Sequence, residues 1–128
     1  MNKLNKIRES TIQQDIVNGI RLFYSNELFV FAVPNGGKRN VREAVTLKRT
    51  GTFAGVSDLV VVGYKRVFFV EVKTSKGVMS DNQSNFKSIV EGKGFNYLIV
   101  RSFADFKKKY ENIVCGKNNV EQSNIINL

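Results

Sequence analysis

Three charged residues stand beside or inside two otherwise apolar runs, with Asp58 opening DLVVVG and Glu71 and Lys73 closing VFFVEVK. A buried hairpin has no structural use for two acids and a lysine there, since ionised groups taken out of water cost free energy unless paired. A divalent metal and a phosphodiester give all three a use. Two carboxylates can hold Mg²⁺, and a lysine two residues on can reach the attacking water or the scissile phosphate.

The spacing supports that chemistry. Asp58 and Glu71 are thirteen residues apart, and a turn centred between Tyr64 and Lys65 sets Gly63 opposite Arg66, Val60 opposite Phe69 and Asp58 across from Glu71. Facing residues of an antiparallel pair have Cβ atoms about 4.5–5.5 Å apart. Two ionised carboxylates that close repel each other unless a cation lies between them. Alternation puts Lys73 on the same face as Glu71 and turns Val72 away. A solvated sheet edge with clustered charges is the plainer alternative. Against it, DLVVV and VFFV are apolar at both parities, the pattern of strands covered on both faces.

The chain contains no histidine. That excludes Ser-His-Asp and Cys-His catalysis, histidine-ligated zinc and histidine-based nucleases. Hydrolysis must then run on carboxylates, lysine and an oxygen-loving metal. At 128 residues the chain is read as one domain. Its core is expected over about residues 7–114, with an Asn-rich flexible tail over 115–128. No stretch is apolar and long enough to span a bilayer, and MNKLNKIRES has no hydrophobic run behind its charges, so neither a membrane nor a secretory signal is expected. The single cysteine, Cys115, fits a reducing cytosol and hence a cytoplasmic protein, and reads as a small hydrophobe near a helix end rather than a nucleophile.

Twenty Lys and Arg against eleven acids give a net charge of +9, the footprint of a polyanion binder. The charge is concentrated. Lys38, Arg39, Arg42, Lys48 and Arg49 lie between Asn35 and Gly51 with only Glu43 opposing, and Lys76 follows the Glu-x-Lys run. A solvated basic face explains such a cluster taken alone; beside a metal site, contact with phosphates explains it better.

The elements that must position these groups follow from periodicity. A helix is expected over about residues 7–26, with Ile12, Ile16, Ile20 and Phe23 on one face. Glu9 lies on that stripe at its N-terminal end. It reads either as a site acid or as an acid favoured by the helix dipole, with Ser10 and Gln13 as a possible capping box. LFVFAV is a strand ended by Pro-Asn-Gly-Gly, and residues 41–49 form a short basic helix. After the hairpin, Ser80 opens a helix carrying Phe86, Ile89 and Val90. Gln83 has capping-box spacing from Ser80 and also lies on the Phe86–Val90 stripe, so cap and site roles both stand. FNYLIV is a further strand, expected parallel to the one ending at Lys73, and Ser102 with Asp105 caps a last helix. The order describes an α/β sandwich with a mixed central sheet and helices on both faces.

An acid on the first helix, one Asp opening a strand, Glu-x-Lys in the next and a Gln on the following helix resemble the PD-(D/E)xK nuclease superfamily. The chain is most similar to its VRR-NUC (virus-type replication-repair nuclease) family, through ESTIQQDI, VPNGGKRNVREAVTLKRTG, GVSDLVVV, FFVEVKTSKGVMSDNQSNF and GFNYLIVRS. Those stretches run in family order over about residues 9–110. One departure is visible: Ser57 stands where the family commonly has proline before the aspartate, which loses rigidity but no ligand.

The resemblance implies a restriction-endonuclease-like fold and Mg²⁺- or Mn²⁺-dependent hydrolysis of DNA phosphodiesters. It implies that Asp58, Glu71 and the backbone carbonyl of Val72 ligate the metal, and that Lys73 orients or deprotonates water. Glu9 is implied as a second-metal ligand or holder of a metal-bound water, and Gln83 as a partner of the nucleophile or of Lys73. Phage-type stand-alone members of this size imply a homodimer acting on branched DNA, four-way junctions in particular. Two rivals stand beside it: the same fold acting on flaps, ends, RNA or a specific duplex sequence, or nicking one strand, and a basic binding module without catalysis.

Overall fold

The computed structural model describes residues 8–34 and 40–126, with side chains to residue 116. Helix α1 spans Glu9–Phe23. Arg8 is its N-cap and makes no side-chain cap bond, so the Ser10–Gln13 box does not form and Glu9 sits in the first turn, where the helix dipole favours an acid. Ile12, Ile16 and Ile20 are buried as the period requires. Phe23, expected on the same stripe, is 65% exposed, and Tyr24 takes the buried place instead. The backbone leaves helical geometry at Tyr24 (φ −126°, ψ 24°), which breaks the period at that point. The Phe23 ring stacks on Phe103.

Strand β1 (Phe29–Ala32) precedes helix α2 (Val41–Arg49). The hairpin is β2 (Leu59–Gly63) and β3 (Arg66–Val72). Helix α3 (Asp81–Gly92), strand β4 (Asn96–Val100) and helix α4 (Phe103–Ile126) complete the order. The sheet runs β1-β2-β3-β4. Its first three strands are antiparallel, and β4 lies parallel to β3 because α3 carries the chain back over the sheet. Gly63 faces Arg66 and Val60 faces Phe69, the register expected from the turn, and Lys65 takes the positive φ (57°) that a tight hairpin demands. Ser80 caps α3 in a full capping box, and Ser102 accepts from the Asp105 N–H at the start of α4.

One sheet face carries the core. Val30, Leu59, Val61, Phe68, Val70, Val72 and Val100 meet the isoleucines of α1 and Phe106 and Tyr110 of α4. The two helices approach closely at Gly19, where a Cβ would come within 2.3 Å of the Phe103 ring. The other face is covered by α3 over β3 and β4 only, with Phe86 against Phe69 and Tyr97. Over β1 and β2 it is open: Phe29 is 64%, Phe31 43% and Val62 37% exposed. The expectation that both faces of the hairpin are covered therefore fails for β2. Apolar residues at both parities signalled two apolar faces, not two buried ones. Helix α4 continues as helix to Ile126, past the Cys115 boundary where a tail was expected, and Cys115 is exposed on it. Among the described residues no helix is long and apolar enough to cross a membrane.

Candidate active site

The β2–β3 register places the carboxylates. The ladder ends at Leu59 opposite Val70, and one step further brings Asp58 across from Glu71. Asp58 is held in place twice. Its Oδ2 accepts from the Val72 N–H at 2.8 Å, and its backbone carbonyl accepts from the Val33 N–H at 2.8 Å. The first bond fixes the side chain against the strand that carries Glu71; the second ties its backbone to the end of β1.

Glu71 is 2% exposed, among the most enclosed polar side chains described. Its Oε2 accepts from Gln83 Nε2 at 2.9 Å and lies 3.7 Å from Lys73 Nζ. Its Oε1 is buried with no hydrogen-bond partner. Burial first, then the neighbouring Asp58 carboxylate, push the Glu71 carboxyl up to about 8; Lys73 opposes the shift and Glu9 adds to it. A carboxyl so placed is held ionised only by added positive charge. Lys73 follows β3 directly, its N–H donates to the Val100 carbonyl at 3.0 Å, and its side chain is only 10% exposed.

Gln83 makes the cap that its spacing suggested, and its other amide end bonds Glu71 rather than Lys73. Its Oε1 accepts from the Ser80 N–H at 2.9 Å, completing the cap, while its Nε2 donates to Glu71. One planar amide thus ties the start of α3 to the end of β3. Glu9 reaches the same place from α1. It is exposed, and with Asp58, Glu71 and Gln83 it lines an open cleft of about 500 Å³ whose far wall is the loop 52–56. That loop is held against α3: a Cβ on Gly55 (φ +88°) would come within 2.3 Å of the Asn82 backbone, so only glycine fits.

The basic residues divide. Arg42, Lys48 and Arg49 are exposed on α2, with Lys48 and Arg49 in its last turn, and none of them lines the cleft. Lys76 is exposed in the loop 74–77 that folds over the Lys73 stem. Arg101 holds that loop through the Thr74 and Gly77 carbonyls. Lys38 and Arg39 lie outside the described residues.

Two further contributors carry little sequence signal. Tyr97 is buried beneath α3, its hydroxyl donates weakly to Met79 Sδ at 3.9 Å, and burial together with Glu71 raises its pKa. The only hint was a tyrosine amid the aliphatic residues of FNYLIV. Arg101 closing the loop over Lys73 is a contact 27 residues distant in sequence, which periodicity cannot show.

The donor set fits a hard divalent cation. Among the described residues no three His, Cys, Asp or Glu side chains cluster closely enough to share an ion. Asp58 and Glu71 would therefore need a backbone oxygen beside them, and Val72 lies between Glu71 and Lys73. The unpartnered Glu71 Oε1 supplies an oxygen with nothing else to satisfy it, and all-oxygen ligation suits Mg²⁺ or Mn²⁺.

Comparison with known proteins bears on the fold and the family. No match was found among curated proteins. A solved structure described as a VRR_NUC domain protein superposes with a TM-score of 0.64 at 15% identity, over 84% of this chain and 88% of its own. At that identity the likeness speaks for the fold. The family model for the VRR-NUC domain matches residues 3–104. The chain belongs to the VRR-NUC domain family, which makes it a nuclease domain of the PD-(D/E)xK type.

Proposed function

We propose that the protein is a Mg²⁺- or Mn²⁺-dependent DNA endonuclease that cuts branched substrates, four-way junctions in particular, as a symmetric pair of chains. The observation that carries the metal-dependent chemistry is Glu71: buried opposite Asp58, bound by Gln83 and Lys73, and left with one unpartnered oxygen at the edge of an open cleft. The four-way-junction preference rests on the resemblance to phage-type members of the family.

In this reading Asp58, Glu71 and the Val72 carbonyl hold the cation, which when bound supplies charge neutralisation and polarises the phosphodiester. The chain's own groups do the rest. The Asp58–Val72 hydrogen bond fixes one carboxylate, and Gln83 fixes the other, so little reorganisation is needed at the moment of reaction. The Lys73 ammonium, on the face of Glu71, orients the attacking water and offsets charge that builds on the phosphorus oxygens. Glu9, at the exposed rim, holds water or a second cation. Arg42, Lys48, Arg49 and Lys76 bind backbone phosphates outside the cleft. Because one chain carries one such site and a junction has two strands to cut, resolution requires two chains related by a twofold axis.

The test is cleavage of matched four-way junction, flap, nicked duplex, linear duplex and single strand with Mg²⁺, Mn²⁺ or EDTA, with Glu71→Ala as control. Junction-selective, metal-dependent cutting that the variant lacks is expected. Equal cutting of every substrate would keep the chemistry and remove the junction preference. Tight binding without cutting under any metal would make the protein a binding module.

A further inference from the structure

The loop 52–56 walls the cleft, yet the proposed chemistry gives it no task. Glycine sets it at both ends. Gly51 (φ +110°) turns the chain out of α2, and the Thr52 N–H closes back on the Leu47 carbonyl at 2.8 Å. Gly55 lies against the Asn82 backbone at the start of α3. Between them stands Phe53, 46% exposed. Its ring rests on Phe86 at 6.4 Å, which in turn meets Phe69 of β3 edge to face at 5.5 Å. A single exposed ring needs no explanation in itself; its place does. Of the exposed aromatic residues described, Phe53 alone lines the cleft that holds Glu9, Asp58 and Glu71.

From this placement we infer that Phe53 is a stacking platform for the base beside the scissile phosphate, so that the cleft takes a nucleotide whose base has left the duplex stack. The inference rests on the nuclease reading above and names the form of nucleotide that its cleft accepts. Charge points to the base as the ligand. The described residues lining the cleft include the acids Glu9, Asp58 and Glu71 and no lysine or arginine. Beyond a bound cation and Lys73, the cleft offers a nucleotide no positive charge, and the uncharged base is the part left to hold. Cations for the strand's phosphates lie just upstream, where Lys48 and Arg49 form the last turn of α2 before the loop. Cations along the backbone with an aromatic ring for the base is the combination by which proteins hold unpaired strands.

Stacking excludes a paired base at this position. In a duplex both faces of a base are covered by its neighbours, so a protein ring reaches one only at an end, a flap or a branch, or after the base is turned out. Every base has such a face, so the platform selects unpaired structure and not sequence. The support suits the task. With Phe86 beneath it and the Thr52 and Gly55 anchors on either side, the ring is in place before substrate arrives, and little ordering is lost on binding. The cleft's volume of about 500 Å³ lies within the roughly 300–1,000 Å³ of small-molecule sites, the scale of one nucleotide rather than of a duplex.

The experiment is ultraviolet crosslinking of the full chain with Mg²⁺ to a flap DNA that carries 5-iododeoxyuridine in its unpaired arm beside the branch. A linear duplex with the same label inside it is the control. Lys73→Ala is present throughout so that the strands stay whole, and the crosslinked peptide is mapped by mass spectrometry. A crosslink at Phe53 with the flap and none with the duplex is expected. In the same background Phe53→Leu keeps an apolar side chain on Phe86 but removes the ring face. It should weaken flap binding roughly 5- to 150-fold, the scale of one base stacked on an aromatic ring, and leave duplex affinity and the salt slope unchanged. Phe53→Tyr should restore flap binding. A flap crosslink that maps elsewhere would overturn the platform, as would a folded Phe53→Leu variant that binds the flap like its parent or weakens flap and duplex alike. With Lys73 in place, metal-dependent flap cleavage at an unchanged KM in Phe53→Leu strikes the platform alone. A Phe53 crosslink in a chain that cuts no DNA under any metal supports the platform and strikes the nuclease reading.

Discussion

Replacing Glu71 with Gln keeps the shape of the side chain and removes the charge that the fold must bury. In the wild-type chain without metal, burial and Asp58 push this carboxyl from its ordinary 4.5 up to about 8. Its folded pKa therefore exceeds its unfolded one. The stability it contributes is fully present below about pH 4.5, falls by about 1.4 kcal/mol per pH unit above that, and is lost as pH passes about 8. Between about pH 5.5 and 7.5 the loss amounts to about 2–3 kcal/mol. The window is clean because the chain has no histidine, the side chain that ordinarily titrates there. Urea unfolding in EDTA should show that decline in the wild type and a nearly flat profile in Glu71→Gln. Saturating Mg²⁺ should restore the wild type at about pH 7.5 by about 2–3 kcal/mol, the gain expected near 100-fold excess over Kd, and leave the variant unchanged. A variant with the same pH slope as the wild type, or one that gains as much from Mg²⁺, would show that Glu71 neither bears the buried proton nor meets the cation.

Asp58→Ala or Lys73→Ala should abolish cleavage while DNA binding survives in gel-shift titrations; wild-type-like cutting by either would remove these residues from the chemistry. Asp58→Ala should also cost about 1–2 kcal/mol in urea, since the Val72 N–H loses its acceptor. Lys48→Ala combined with Arg49→Ala should lower the slope of log K against log salt by about two, at roughly 0.9 per phosphate contact, and an unchanged slope would place the DNA elsewhere. Gly55→Ala puts a Cβ 2.3 Å from the Asn82 backbone at a φ of +88°, so a loss of about 2 kcal/mol or more and slower cleavage are expected; thermal unfolding equal to wild type would mean that the loop 52–56 yields freely.

Much of the geometry of the candidate site was legible because it depends on local periodicity. Two-residue alternation and a tight turn are short-range facts, so the Asp58–Glu71 facing and the side of the sheet shared with Lys73 followed from the order of residues alone. Capping chemistry is equally local, and it placed Ser80 and Ser102 at helix starts. Where two local signals competed, sequence could only leave them open. The acceptor end of the Gln83 amide makes the cap, and only the packing of α3 on the sheet shows that its donor end reaches Glu71. Glu9 needed the crossing of α1 over the sheet before it could be set near Glu71 at the cleft rim.

What the amino-acid order determined, then, was the mixed sheet with its parallel fourth strand, the hairpin register and, with no histidine in the chain, a candidate site of carboxylates and lysine. Tertiary structure alone decided how deeply Glu71 is buried, which of its oxygens is left without a partner, and which half of an apolar sheet stays uncovered. The reason is physical. Register and capping are settled by neighbours a few residues away, whereas burial and electrostatic shifts sum over every group that packing brings close, whatever its distance along the chain.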